Sequence, residues 1–307
     1  MPFRMFMSSG DLIADRRYDF ARDLQLRGDL AAAADLMAQA AELAPGFASA
    51  WFALGEMQEE LNQNSAAIEA YRKAVAADPA DRHGASLRLM RLGATDLSEM
   101  PKEYVRSLFD QYAPKFDAAL VGDLGYRGPE VLRKAVVAAR QIQKKPVHFA
   151  RVVDLGCGTG LAAKAFASVA DTFIGIDISN GMIEQAKALK LYARLAVCDM
   201  IEGLATEADA SADLVLSADA FVYLKDLAPV LCAAVRVLKP AALIGFTVET
   251  HAGAGTVIGE GFRYAHSEAA VRDALMQAGL AQPRIESVST RNDGGKPVPG
   301  LVVVASK

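Results

Sequence analysis

One stretch limits what this chain can fold into more than any other: Val152-Val153-Asp154-Leu155-Gly156-Cys157-Gly158-Thr159-Gly160. An apolar run from Ala150, broken only by Arg151, ends in an acid, and three glycines follow at alternate positions. Such a run reads as a buried strand. Glycines mark places where backbone turns sharply or approaches a ligand closely. A helix predicted to start near Leu161 would place free N–H groups and a positive dipole end behind them. Strand, side-chain-poor turn and helix in this order make a loop for a nucleotide-type cofactor.

The segments that follow keep alternating. Thr172 to Asp177 reads as a second buried strand ending in an acid, 21 residues after Gly156. An acid at the tip of the second strand can accept hydrogen bonds from ribose hydroxyls. Gly181 to Leu189 reads as a helix with Asn180 as its cap, and Tyr192 to Val197 as strand three. Asp213 to Ala218 is strand four, Leu224 to Leu238 a helix closed by Lys239-Pro240, and Ala241 to Val248 strand five. Ser267 caps a helix running to Ala278, with Gly279 as its stop. Ile285 to Thr290 and Leu301 to Ala305 are late strands, with a hairpin-type turn at Asn292-Asp293-Gly294-Gly295 between them. The expected fold is α/β: a doubly wound, Rossmann-like sheet with an antiparallel hairpin at its end.

The first hundred residues are organised differently. Pro45 and Pro79 are 34 residues apart, as are Ala33 and Ala67, Ala40 and Ala74, and the large pair Met37 and Tyr71. This is the period of a helix–turn–helix repeat. The copy from Phe47 to Ala80 resembles a tetratricopeptide repeat, with Trp51, Leu54, Gly55, Ala67, Tyr71, Ala74 and Pro79 at that family's packing positions. It departs from the family at Gln58. The copy from Ile13 to Gly46 is degenerate, with Arg17 where the second has Trp51. A third helix, Asp81 to Leu92, would cap the array. The resemblance implies a small surface for docking peptides or a second copy of the chain. The alternative is a helical cap with a packing role only. The boundary is expected in Gly93 to Pro101, giving a repeat region over 1–100 and a cofactor domain over 101–307. Within 101–145, Tyr104 to Ala119 reads as an aromatic-rich helix interrupted at Pro114, and Glu130 to Gln143 as the next. Lying just before the glycine-loop strand, this segment is expected to act as a lid, with Tyr112, Tyr126 and Arg127 closing the pocket.

Composition narrows the partners. The net charge is −4 and there is no basic tail, which argues against non-specific nucleic-acid binding. No apolar stretch approaches the ~20 residues of a membrane span. Three separated cysteines, Cys157, Cys198 and Cys232, suggest a reducing, cytoplasmic compartment, and four scattered histidines give no metal-ligand spacing.

The loop lacks the lysine and Ser/Thr of a phosphate-binding loop, and it reads G-x-G-x-G rather than G-x-G-x-x-G. Asp154-Leu155-Gly156-Cys157-Gly158-Thr159-Gly160 resembles the signature of class I S-adenosylmethionine-dependent methyltransferases. That resemblance spans about Tyr104 to Lys307 and includes Asp177, Asp199 and Arg236-Val237-Leu238-Lys239-Pro240, although Ala241-Ala242 stand where the family has glycines. It implies a seven-stranded sheet. It also implies S-adenosylmethionine as cofactor, with Asp154, Gly156, Cys157, Gly158 and Gly160 around its methionine part. Asp177 would hold the ribose, Ile178 and Met182 would lie against the adenine, and Asp199 with Met200 would meet the adenine edge. Ser217 and Asp219 would flank the sulfonium, and Tyr112 would cover the pocket. The whole arrangement resembles a group of methyltransferases carrying an N-terminal tetratricopeptide region.

The acceptor is not named by any motif. Ser217-Ala218-Asp219-Ala220-Phe221 lacks the Pro-Pro-aromatic string of nucleic-acid amino-methylating enzymes, and no Pro-Cys nucleophile is present. The acceptor is therefore expected to be a small molecule, or a partner docked by the repeats. Tyr223, Glu249, His251, Tyr264 and His266 are the candidates for substrate contact or general base, with Tyr223, His251 and Tyr264 put first, and the glycine-rich Gly253 to Gly261 is expected to form a flap. A rival reading is a non-catalytic adaptor that binds the cofactor and acts through its repeats.

Overall fold

The computed structural model describes residues 5–117, 125–259 and 261–307. The chain divides into two compact units, Met1–Ser107 and Leu108–Lys307.

The first unit is helical. It contains α1 (Leu12–Leu26), α2 (Leu30–Leu43), α3 (Ala48–Glu60), α4 (Asn64–Ala77) and α5 (Ala85–Arg91), and α6 (Lys102–Tyr112) runs across the unit boundary. Short polar residues start the first two helices: Asp11 accepts from the N–H groups of Ile13 and Ala14, and Asp29 from that of Ala32. α2 and α4 have the same 14-residue length and begin 34 positions apart. Ala33, Met37 and Ala40 on one, and Ala67, Tyr71 and Ala74 on the other, are all buried. The close approach has a specific cause. A Cβ on Gly55 would lie 2.5 Å from Cε1 of Tyr71, so α3 can seat that ring only because position 55 has no side chain. Trp51 donates from Nε1 to the Pro45 carbonyl at 2.9 Å. Tyr18 of α1 and Phe47, just before α3, pack with their rings tilted and 5.4 Å between centroids.

The second unit is α/β. Its elements in order are α7 (Gly128–Ile142), β1 (Phe149–Leu155), α8 (Leu161–Phe166), β2 (Ala170–Asp177), α9 (Asn180–Ala188) and β3 (Tyr192–Val197). Then come α10 (Met200–Ala205), β4 (Ala212–Ser217), α11 (Ala228–Val237), β5 (Leu238–Thr250), β6 (Thr256–Ile258), β7 (Tyr264–His266) and α12 (Glu268–Gln277). β8 (Ala281–Val288), β9 (Asn292–Asp293), β10 (Lys296–Pro297) and β11 (Gly300–Ser306) complete it. The main sheet runs β3-β2-β1-β4-β5-β11-β8. Its first five strands are parallel, and β11 is antiparallel to both β5 and β8. β6 and β7 add a short extension beside β5.

The central strands read as continuous apolar runs because both faces are covered. Val153 and Leu155 join the cluster that contains Leu231, Val271 and Leu275 from α11 and α12, whereas Val152 joins Leu132 and Val136 of α7 and Phe166 of α8. Because β1 to β5 run parallel, their C-terminal ends, where β1 gives way to the glycines, lie along one edge of the sheet.

Three local expectations change. β5 begins at Leu238, so Lys239-Pro240 lie within the strand instead of forming a turn before it. Proline's fixed φ suits extended backbone there, and the irregularity moves to Ala241 at φ +57°. α8, expected from Leu161 to Ala170, ends at Phe166, and β2 already starts at Ala170. Ser179, and not Asn180, caps α9 by accepting from the Met182 N–H. Gly294 and Gly295, at φ +52° and +77°, close the β9–β10 hairpin as its two central residues require. Among the described residues no helix is long and apolar enough to cross a membrane.

Candidate functional site: the loop after β1

The three glycines after β1 all take left-handed backbone, with φ of +64° at Gly156, +53° at Gly158 and +91° at Gly160. Their surroundings differ. A Cβ on Gly156 would fall 2.3 Å from Cβ of Ala220 and 3.0 Å from Cε of Met200, so the loop is pressed there against the ends of β4 and the start of α10. A Cβ on Gly158 would meet no protein atom within 4 Å. Gly156 is needed for packing, and Gly158 for backbone conformation beside open space.

Asp177, at the tip of β2, is buried and reaches the same loop. Its Oδ2 accepts from the Gly158 N–H at 2.8 Å, and its Oδ1 from the Ser179 N–H at 2.8 Å. Burial pushes its pKa up to about 6 against the pull of these backbone donors. Asp154, 1% exposed at the end of β1, accepts from the Tyr192 hydroxyl at 2.7 Å through Oδ2. Its Oδ1 is buried with no hydrogen-bond partner among the described residues. Burial pushes this carboxyl up to about 7, with the nearby Asp177 adding to the rise and Tyr192 opposing it. The Oγ of Ser217, at the end of β4, is also buried without a partner among the described residues. Among the described residues, the strand ends at this edge therefore carry an unpaired buried acceptor, an unpaired hydroxyl and a second acid.

The segment before β1 clasps this loop through residues that sequence reasoning passed over. Asp110, in α6, accepts from the Ser179 Oγ at 2.6 Å and from the Gly181 N–H at 2.9 Å. Asp117 accepts from the Thr159 Oγ at 2.5 Å. One acid thus holds the start of α9 and the other holds the glycine loop. Tyr112 lies half-buried between them. Tyr126 is half-buried near Asp219 and Asp154, whose charges add to burial in raising its phenol. Arg127 turns elsewhere, with its Nε donating to the Ser289 carbonyl at 3.0 Å and its N–H to that of Thr290. Ala118, Ala119 and Leu124, also read as part of this segment, lie outside the described residues.

Other expected cofactor residues fall around the same edge. Asp199 caps α10, its Oδ1 accepting from the Ile201 N–H at 2.9 Å, and Met200 lies over Gly156. Ile178 follows Asp177 and is half-buried, whereas Met182 is only 1% exposed and packs inside α9. Cys157 is buried, and burial beside Asp154 and Asp177 pushes its thiol up. Asp219 takes φ +55°, and both its oxygens are engaged, one by Thr247 at 2.5 Å and the other by Thr290 at 2.7 Å. It ties β4 to β5 and to the turn after β8, and burial raises its pKa.

The three residues expected to meet the acceptor part company. Tyr264 is fully buried. His251 has both ring nitrogens committed to its own turn: the Gly253 N–H donates to Nδ1 and Nε2 faces the Gly255 carbonyl, each at 3.1 Å. Over its described residues, the glycine-rich stretch expected as a flap forms that turn and then β6, which pairs with β7. Tyr223 accepts from Arg263 Nε at 3.1 Å and packs edge-on against Phe109, 5.2 Å between centroids. Arg263 and Arg291 both pair with Glu249. This cluster of Phe109, Tyr223, Glu249, Arg263 and Arg291 beyond β4 and β5 was legible only in part, since the arginines carry no motif.

The donor set fits a ligand with a positive sulfonium or ammonium group and a ribose. It offers an unpaired buried acceptor on Asp154, an open backbone at Gly158 and a second acid at Asp177.

Comparison with known proteins agrees. Residues 153–246 match the family model for a methyltransferase domain. The human methyltransferase-like protein 27 is 34% identical over 176 residues, covering 56% of this chain and 66% of that one. A ubiquinone biosynthesis O-methyltransferase of Paracidovorax citrulli is 32% identical over 106 residues, covering 33% of this chain and 44% of that one. The chain thus spans less than two thirds of the length of these relatives. An N-methyltransferase of Haemonchus contortus, solved with phosphomonomethylethanolamine and S-adenosylhomocysteine, shares the fold. It superposes at a TM-score of 0.50 with 16% identity, over 64% of this chain and 57% of that one. With its glycine loop and two buried acids in place, the segment matched at residues 153–246 is the core of a class I, S-adenosylmethionine-dependent methyltransferase domain.

Proposed function

We propose that the chain transfers the methyl group of S-adenosylmethionine to a small-molecule acceptor. The observation that carries this reading is the buried, unpaired Oδ1 of Asp154 beside the Gly156–Gly160 loop. When bound, the cofactor supplies an electrophilic methyl on a positive sulfur. The chain's part is to hold that group, exclude water and present the acceptor in line. Asp154 and the loop would hold the methionine end, Asp177 the ribose, and Asp199 with Met200 the adenine edge. Because the thioether leaves readily, a general base is required only for an acceptor that must lose a proton. Of the residues considered for that role, Tyr223 best suits acceptor contact, since Tyr264 is enclosed in the core and His251 is occupied by its turn.

Two relatives with an O-methyltransferase name, from Paracidovorax citrulli and, as malonyl-[acyl-carrier protein] O-methyltransferase, from Methylovorus, support a non-nucleic-acid acceptor. The helices of residues 12–91 would act as tetratricopeptide-like repeats for docking a protein partner or a second copy. Their support is the 34-residue offset and the paired burial of Ala33/Ala67 and Met37/Tyr71. A calorimetric titration with S-adenosylmethionine and S-adenosylhomocysteine, followed by a metabolite screen for methyl transfer, tests the reading. Absence of binding by both would overturn it, and binding without transfer to any acceptor would favour the adaptor alternative.

A further inference from the structure

Tyr192 opens β3, an edge strand, yet its hydroxyl reaches Asp154 on β1, two strands away. It does so across a gap in β2. Gly175 pairs with Asp154 in register, and a Cβ there would lie 2.8 Å from Cε1 of Tyr192. The same ring passes under the glycine loop, where a Cβ on Gly160 would lie 3.2 Å from its Cε2. One phenol therefore packs beneath the loop and grips one oxygen of the acid that precedes it, while the other oxygen has no partner among the described residues.

We infer that Tyr192 is a positioning residue for the cofactor: it fixes the Asp154 carboxylate so that the free Oδ1 faces the cationic end of the bound molecule. The inference rests on the S-adenosylmethionine reading of the site. A donor on Oδ2 does two things. It selects one rotamer of the carboxylate, and it favours the ionised form. The groups that bear on Asp154 are Tyr192 from β3, Asp177 from β2, Cys157 in the loop and Tyr126 before α7. Among the described residues, Tyr192 is the one that donates to it.

The test is calorimetric titration of the full chain with S-adenosylhomocysteine from pH 6 to 9, comparing wild type with Tyr192→Phe, which keeps the ring and its packing. The expected result is about ten-fold weaker binding of the variant at neutral pH, with the deficit shrinking towards pH 9 as Asp154 ionises without help. In an Asp154→Asn background the same change is expected to add nothing, because the partner is gone. Unchanged affinity of Tyr192→Phe across the range, or an equal loss in the Asn background, overturns the positioning role. Wild type that binds no S-adenosylhomocysteine overturns the cofactor reading itself, and this inference with it.

Discussion

Asp177 and Gly158 are joined by a 2.8 Å hydrogen bond from the loop N–H to the acid at the end of the neighbouring strand. The acid expected to hold the ribose is thus also what holds the glycine loop in shape. Asp177→Ala removes both roles. Affinity for S-adenosylhomocysteine is expected to fall by about ten- to a hundred-fold, following the cost of losing hydrogen bonds to a charged group, as measured by calorimetry. An unchanged Kd would show that the ribose is held elsewhere.

Gly156 and Gly158 are expected to fail in different ways. Gly156→Ala brings its Cβ onto Ala220 and is expected to lower the melting temperature by several degrees. Gly158→Ala meets no protein atom, so it carries only the left-handed strain of about 1 kcal/mol and should stay folded while losing cofactor affinity. Thermal unfolding set beside calorimetry separates the two, and equal melting points would contradict the packing argument.

The buried acids give stability an uncommon pH dependence. Asp154 and Asp177 hold protons more tightly in the fold, at about 7 and about 6, than at their ordinary value of 3.8. Their contribution is fully present below about pH 4 and is withdrawn as pH rises through 6 and 7, because the native state then binds more protons than the unfolded one. Asp154→Asn should therefore raise the melting temperature at pH 8 and change it little at pH 5. A larger effect at pH 5 would reverse the assignment.

Asp110 bonds the start of α9 twice, through Ser179 and Gly181. Asp110→Ala is expected to speed hydrogen exchange at residues 179–182 and to raise KM for S-adenosylmethionine more than it lowers kcat. Exchange unchanged at those amides would show that the clasp is not what orders the turn.

In the helical unit, Gly55→Ala drives a methyl into the Tyr71 ring. Overpacking of this kind costs about 1–3 kcal/mol. The first unit should melt earlier while the affinity for S-adenosylhomocysteine is untouched.

The loop, Asp177 and strand three from Tyr192 to Val197 could be read from the sequence because each is a local pattern: an apolar run, a glycine spacing, an acid at a strand tip. The 34-residue offset was legible for the same reason. What escaped is what depends on reach. Tyr192 was read as a strand residue, and nothing local says that Gly175 opens a path to Asp154. Asp110 and Asp117 sat in a segment read for its aromatics, since an exposed acid on a helix has no signature until its partners, Ser179 and Thr159, are brought near. His251 looked like a base because a histidine after a strand is chemically suggestive, and only the fold of Gly253 to Gly255 shows both nitrogens in use.

Strand β11 lies between β5 and β8, and every one of its residues is buried. Both neighbours precede it in the chain. During synthesis, then, β5 and β8 emerge from the ribosome before the strand that separates them exists. For that interval each has a hydrogen-bonding edge with no partner, and the nascent domain is exposed to wrong pairing with other chains. The strand that joins β8 to the rest of the sheet is thus the last of the three in the chain, and β8 has its place in the sheet only through Gly300–Ser306.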